Sequence, residues 1–145
     1  MALTRDPLVI GLTGSFGSGC STLTKAFAGI GFYTAKLSSI IRQEAQSQNR
    51  PENRPTLQDI GNELRQRYDP NYIADALVKQ VRRTAPNRCG RLVLDGIRNT
   101  AEIRYLRERF TRFFVIAVNC PHEQRWARLK PVYDQDGKSQ ADFDK

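Results

Sequence analysis

The chain has 145 residues, of which 39% are hydrophobic and 26% charged, a composition typical of one soluble globular domain. No apolar run approaches the roughly 20 residues of a membrane span, and residues 1–7 lack a signal peptide's apolar core, so we expect a cytoplasmic protein without membrane contact. The three widely spaced cysteines argue against a disulfide framework or a zinc site, whereas the net charge of +8, carried mainly by arginine, favours polyanionic ligands.

The first predicted elements are a strand, a loop and a helix. Residues 8–12 form a continuous apolar run of strand length, and residues 21–30 place Leu23, Phe27 and Ile30 at helical spacing. Between them lies the segment Gly14-Ser15-Phe16-Gly17-Ser18-Gly19-Cys20-Ser21-Thr22. It follows the phosphate-binding pattern of Gly, four residues, Gly, Lys and Ser or Thr, except that Cys20 stands in the lysine position.

This loop predicts nucleotide binding without the usual cation. Backbone N–H groups and the helix dipole bind phosphate without side chains, and Ser21 can offer its hydroxyl to Mg2+. Cys20 supplies no charge and is either a neutral filler or an oxidation-sensitive switch; the alternative for the whole segment is a turn without a ligand. The predicted nucleotide-binding residues are Gly14, Ser15, Gly17, Ser18, Gly19, Cys20, Ser21 and Thr22.

Next come a short strand and three helices. Residues 32–37 form the second predicted strand, after which Ser38 or Ser39 is expected to cap a helix. Two prolines and few apolar residues mark 47–55 as a mobile loop. Thr56 is expected to cap the following helix, and the next one is expected to start at Asp69-Pro70.

The second half of the chain alternates strands and helices. Residues 91–95 and 113–118 are the third and fourth predicted strands, the latter being the most apolar segment. Asn99 with Glu102 predicts a capped helix between them. A last helix is expected to end at Pro131, and the polar tail from Tyr133 to Lys145 is expected to lack stable structure.

This order predicts an α/β fold of the P-loop NTPase type, a three-layer sandwich with a mostly parallel sheet, helices on both faces and no fifth strand. We expect a single domain over 1–145. Its resemblance to P-loop kinases, carried by the segments quoted in the next paragraphs, implies an acceptor-binding helical segment at about 38–68 and a lid region with a polar tail at 121–145. The chain is expected to be the N-terminal part of a longer protein, and an oligomer is compatible with the sequence.

Polar residues that follow the strands are the best candidates for the rest of the site, because ligands of parallel sheets bind at the carboxyl ends of strands. Asp95 and Gly96 follow the third strand, so Asp95 together with Ser21 is the predicted Mg2+ site. Arg42 and Arg98 are placed to bind a second phosphate. The structural alternative for each arginine is a solvated surface residue.

These segments resemble P-loop nucleoside monophosphate kinases. Leu37-Ser38-Ser39-Ile40-Ile41-Arg42 is similar to their acceptor-phosphate segment, and Leu94-Asp95-Gly96-Ile97-Arg98 to their Asp-Gly-x-x-Arg segment, one residue shorter. Residues 54–65 resemble the acceptor region of deoxynucleoside monophosphate kinases and dephospho-CoA-kinase-like proteins, and the helix after 121 resembles the lead into their lid. The resemblance implies catalytic roles for Asp95 and Arg98. The substrate-binding residues it implies are Arg42, Arg54, Gln58, Arg65, Arg98, Arg125 and Arg128.

The loop further resembles kinase-like domains that precede deoxycytidylate deaminase domains in bacterial proteins, some of them linked to phage defence. The resemblance implies a sensing or regulatory module that binds ATP or another nucleoside triphosphate with Mg2+, with a C-terminal deaminase domain as the partner in a longer chain. The first alternative is an active phosphotransferase, a nucleotide or dephospho-CoA kinase in which Arg98 or a lid arginine replaces the lysine. The second is a basic nucleic-acid-binding domain, which no recognition motif supports.

Overall fold

The computed structural model describes residues 6–144, and within them four strands form one parallel sheet in the order β2-β3-β1-β4. The strands are β1 (Leu8–Gly14), β2 (Tyr33–Lys36), β3 (Arg91–Asp95) and β4 (Arg112–Val118). Leu12 lies opposite both Asp95 of β3 and Ile116 of β4, so the carboxyl ends of these strands share one edge of the sheet. The predicted α/β class with a parallel sheet is confirmed.

Helices cover both faces of this sheet. They are α1 (Cys20–Gly29), α2 (Leu37–Ser47), α3 (Arg54–Arg67), α4 (Tyr72–Thr84), α5 (Thr100–Arg109), α6 (His122–Gln135) and α7 (Gln140–Phe143). Alternate residues of a strand point to opposite faces, so Val9 and Leu92 join the larger core with α2–α5, whereas Ile10 and Val93 join a smaller core beneath α1. None of the helices within 6–144 combines the length and hydropathy that crossing a bilayer requires.

Three predicted helix starts were wrong. α4 begins at Tyr72, after a turn at Pro70 and Asn71, rather than at Asp69-Pro70. α2 begins directly at the end of β2, and the Ser39 hydroxyl donates to the Lys36 carbonyl instead of capping the helix. α3 begins at Arg54, because the Asn53 side chain accepts a hydrogen bond from the Thr56 N–H at 3.0 Å. The expected mobile loop over 47–55 is therefore reduced to residues 48–53.

The C-terminal prediction was also wrong. α6 continues through Pro131 to Gln135, because Leu129 and Tyr133, one turn apart on either side of the proline, are both only 6% exposed. Their burial compensates for the backbone hydrogen bond that proline removes. Residues 140–143 form a further helical turn, and Phe143 packs against Trp126 and Tyr133.

β4 is less buried than its composition suggested. It is an edge strand in the described part of the chain, and Phe114 is 58% exposed. A continuous apolar run is typical of a strand covered on both faces, but in β4 the Phe114 side chain on one face is left largely open to solvent. The most apolar segment of the sequence therefore lies at the margin of the sheet.

Candidate phosphate-binding site

The glycine-rich loop between β1 and α1 has a backbone that other residues cannot easily adopt. Gly17 and Gly19 have φ angles of 81° and 107°, in the left-handed region. A Cβ at Gly14 would lie 2.5 Å from Ser18 Oγ and 2.7 Å from the Val118 carbonyl oxygen, so the chain passes too close for a side chain. All three glycines of the motif are therefore required by the loop's geometry.

The N-terminus of α1 has the properties of an anion site. Gly19 occupies the N-cap position, no side chain caps the helix, and its first turn contains no acidic residue. The first N–H groups of such a helix lack partners and lie at the positive end of its dipole. The loop residues thus fit a phosphate group of a nucleotide, which bare amides can bind.

Cys20 leaves this site without a fixed ammonium group. Its thiol is partly buried, with Sγ 3.6 Å from the hydroxyl oxygen of the buried Ser18. Ser15, Ser21 and Thr22 are exposed, so their hydroxyls are open to a ligand. The charge that the motif ordinarily supplies at position 20 must come from elsewhere or be missing.

Asp95 lies at the carboxyl end of β3 and is only 8% exposed. The Thr24 hydroxyl donates to Asp95 Oδ2 at 3.4 Å and to the Cys20 carbonyl at 2.8 Å, which links the carboxylate to the first turns of α1. Thr24 was not among the site residues predicted from the sequence. Its position one helical turn after Cys20, on the same face of α1, is the signal that could have identified it.

The Ser21 hydroxyl and the Asp95 carboxylate are oxygen ligands of the kind that Mg2+ prefers. Between residues 6 and 144 no three His, Cys, Asp or Glu side chains are grouped for metal binding. A Mg2+ ion at this site would therefore take its other ligands from the nucleotide phosphates and water.

Helix α6 packs on one side of the loop. Arg128 donates a hydrogen bond from Nη1 to the Gly17 carbonyl at 3.0 Å. The same Nη1 lies 3.8 Å from the position of a Cβ on Gly19, and the Leu129 side chain packs within 2.9 Å of the equivalent position on Gly17. Arg128 therefore brings a positive charge next to the glycine-rich loop.

Arg54 and Phe16 extend this contact. Arg54, at the start of α3, places its guanidinium 4.1 Å from the centre of the Phe16 ring in the loop. Its Nη1 donates to the Tyr133 hydroxyl of α6 at 2.5 Å. Neither aromatic residue was predicted from the sequence, because the pairing depends on three elements that meet only in the fold.

The Arg65 side chain is paired with a buried carboxylate, whereas the Arg98 side chain is exposed. The Arg65 guanidinium forms an ion pair at 2.9 Å with Glu102, which is completely buried. Glu102 also accepts hydrogen bonds from the backbone N–H groups of Arg98 and Asn99. The Arg98 side chain is exposed and makes no hydrogen bond or ion pair to the described residues.

The remaining predicted substrate residues make their described contacts with other parts of the chain or with solvent. Arg42 lines a cleft of about 380 Å3 beside β2, between α2 and α4, and pairs loosely with Glu52 at 3.8 Å. Gln58 is exposed on α3, and the Arg125 guanidinium lies 5.2 Å from the centre of the Phe143 ring. The structure thus brings Arg54 and Arg128 into contact with the loop, and the substrate-binding roles of Arg42, Gln58 and Arg125 stay predictions.

Comparison with known proteins identifies the group to which this chain is related. A family model described as AAA domain matches residues 10–144. UPF0200 proteins are similar: that of Pyrococcus horikoshii is 29% identical over 125 residues, covering 85% of this chain and 67% of the relative. That of Thermococcus kodakarensis is 30% identical with the same coverage, and that of Methanoregula boonei is 34% identical over 122 residues, covering 83% of this chain and 65% of the relative. The chain spans about two thirds of the length of these relatives.

A solved structure supports the fold. The crystal structure of TT1252 from Thermus thermophilus superposes with a TM-score of 0.59 at 19% identity, covering 95% of this chain and 77% of that chain. Because the family model covers nearly the whole chain, the protein belongs to the AAA domain family and has a P-loop kinase-like domain.

Proposed function

We propose that this member of the AAA domain family binds a nucleoside triphosphate through the main-chain amides of residues 14–21. The observation that carries the proposal is the uncapped, acid-free N-terminus of α1, with Gly19 in the left-handed region at the N-cap. Such an end is stabilised by an anion. Mg2+ would accompany the phosphates and contact Ser21 and Asp95.

The proposed role of the bound nucleotide is sensing rather than turnover. Catalysis of phosphoryl transfer rests on neutralising the charge that spreads over the transferred group. The position that normally carries this charge holds a neutral thiol in Cys20, which favours binding without efficient transfer. By the resemblance of the loop, the regulated partner would be a deoxycytidylate deaminase domain in a longer chain.

Calorimetric titration tests the proposal. ATP, dATP, dCTP and the corresponding monophosphates are titrated with and without Mg2+, and phosphoryl transfer to the monophosphates is followed in parallel. We expect one saturable triphosphate site that Mg2+ strengthens, and no sustained transfer. Affinity for duplex or single-stranded nucleic acid that falls steeply with salt and is insensitive to ATP would instead support a nucleic-acid-binding domain.

Arg128 supports a second candidate function, an active kinase. Its guanidinium already contacts the Gly17 carbonyl at 3.0 Å, so it can supply a positive charge near the phosphates. This candidate predicts measurable transfer that an Arg128→Ala substitution abolishes and a Cys20→Ala substitution leaves intact. A wild-type protein without transfer would rule it out.

A further inference from the structure

We infer that Arg54, Phe16 and Tyr133 form a clasp that holds α6 closed over the phosphate loop, and that an acceptor anion opens it by binding Arg54. The inference deepens the proposed function and rests on it. It makes Arg54 a positioning residue that couples the acceptor side of the protein to the nucleotide site, rather than a simple substrate ligand.

The clasp joins three separate elements through one side chain. The Arg54 guanidinium lies 4.1 Å from the centre of the Phe16 ring and 5.7 Å from that of Tyr133. It also donates to the Tyr133 hydroxyl at 2.5 Å. Planar stacking on an aromatic face and a directed hydrogen bond are the two interactions at which arginine exceeds lysine. The phosphate loop, α3 and α6 are thereby tied together.

Closing this clasp covers the loop. Tyr133 is 6% exposed and is held by edge contacts with Trp126 and Phe143. Leu129, one turn earlier on α6, is packed on Gly17 and is equally buried. Tyr133 and Leu129 are on the same side of the helix. Fixing Tyr133 therefore holds Leu129 against the Cα of Gly17, on one side of the loop, and this is the contact that we expect an entering nucleotide to displace.

An anion can break the clasp because the hydrogen-bond partner of Arg54, the Tyr133 hydroxyl, is neutral. Within residues 6–144 the guanidinium makes no ion pair, and its hydrogen-bond acceptor is a phenol. Arg54 is exposed, so a dissolved anion can reach it. A phosphate offers the guanidinium an opposite charge and two acceptor oxygens in bidentate geometry, whereas the Tyr133 phenol offers one neutral acceptor. A phosphate group should therefore displace the Tyr133 hydroxyl from the Arg54 guanidinium. This displacement releases α6 and favours nucleotide entry.

Linkage requires the effect to be reciprocal, since an acceptor that opens the lid must also bind more tightly once the nucleotide is present.

Two variants and one native fluorophore test the clasp. Tyr133→Phe removes the hydrogen bond and retains the ring. Tyr68→Phe is the matched control, because Tyr68 is 49% exposed and its ring stacks on Tyr72. Trp126, the single tryptophan of the chain, lies 5.8 Å from the Tyr133 ring and reports on the lid.

The first measurement needs no nucleotide. Acrylamide quenching of Trp126 fluorescence is recorded while inorganic phosphate is added. We expect phosphate to raise quenching in the wild type and in Tyr68→Phe, whereas Tyr133→Phe is already more quenched without phosphate and does not respond. Equal quenching in Tyr133→Phe and wild type, with or without phosphate, would overturn the clasp, whatever the protein's affinity for ATP.

The second measurement is ATP binding with and without AMP. Tyr133→Phe should bind ATP about tenfold more tightly than the wild type, chiefly through a faster association rate, because one hydrogen bond to a charged group no longer holds the lid. AMP should strengthen ATP binding in the wild type but not in this variant. A variant that binds ATP more weakly, as a purely structural tyrosine predicts, would overturn the coupling. Absence of ATP binding in both proteins would instead refute the proposed function.

Discussion

The Arg65 guanidinium donates two hydrogen bonds to Glu102 Oε1, from Nε at 3.1 Å and from Nη2 at 2.9 Å. The other carboxylate oxygen accepts from the Arg98 N–H at 2.7 Å and from the Asn99 N–H at 3.4 Å. This pair therefore fixes the turn that follows Asp95. In this structure Arg65 is bound to Glu102, and its predicted contact with an acceptor stays a prediction.

Glu102→Gln should destabilise the fold by about 3 kcal/mol, because it leaves the Arg65 charge largely buried without its counterion. Urea unfolding followed by circular dichroism measures the change. The control is Glu63→Gln, which breaks the exposed Arg50–Glu63 pair and should cost less than about 1 kcal/mol. Similar losses in the two variants would contradict the role assigned to the buried pair.

Cys20→Lys should restore the charge that the loop lacks. We expect ATP to bind about tenfold more tightly and phosphoryl transfer to become detectable, since an added cation near the phosphates stabilises charge in the bound state and in the transition state. The control is Asn87→Lys, which adds the same charge at an exposed position preceding β3. If both lysine variants gained affinity equally, the gain would reflect net charge rather than the loop.

Arg128→Ala should weaken ATP binding by about tenfold while leaving the melting temperature nearly unchanged. The side chain is exposed and its hydrogen bond is to a single carbonyl, so the fold depends little on it. Calorimetry gives the affinity, and thermal unfolding gives the stability. Lys130→Ala, on an exposed position of the same helix, serves as the control. Unchanged ATP affinity in Arg128→Ala would exclude this arginine from the nucleotide site.

The Tyr105 hydroxyl donates to Asp75 Oδ1 at 2.5 Å. Burial, together with this hydrogen bond, raises the pKa of Tyr105 to about 12. A raised folded-state pKa contributes stability that is complete below about pH 10, the ordinary tyrosine value, and is lost as the pH rises through 12. Wild type should thus lose its stability advantage over Tyr105→Phe between pH 10 and 12, measured by urea midpoints. An advantage independent of pH in this range would contradict the assignment.

The sequence predicted the features that depend on local backbone chemistry. Gly14, Gly17 and Gly19 were placed in the loop because its conformation excludes side chains, and the structure shows the required positive φ angles at the last two. The capping box of Asn99 and Glu102 was predicted from spacing alone and is present. Such signals are short-range, so they can be read without knowing the fold.

Contacts between distant elements could not be predicted. The Arg54–Tyr133 hydrogen bond joins residues 79 positions apart, and nothing near either residue indicates the other. Proline normally ends a helix, so Pro131 predicted a break that the burial of Leu129 and Tyr133 overrides. Glu102 was recognised as a cap, but its partnership with Arg65 depends on how α3 packs near α5.

Two-dimensional amide NMR of the wild-type protein during titration with ATP and Mg2+ tests most directly whether the backbone of residues 14–21 binds the phosphates. The account predicts that the largest shifts fall on the amides of Gly17, Gly19, Cys20 and Ser21, with smaller changes along α6. Saturable shifts confined to the cleft beside β2, around Lys36 and Arg42, with the loop amides unmoved, would contradict it.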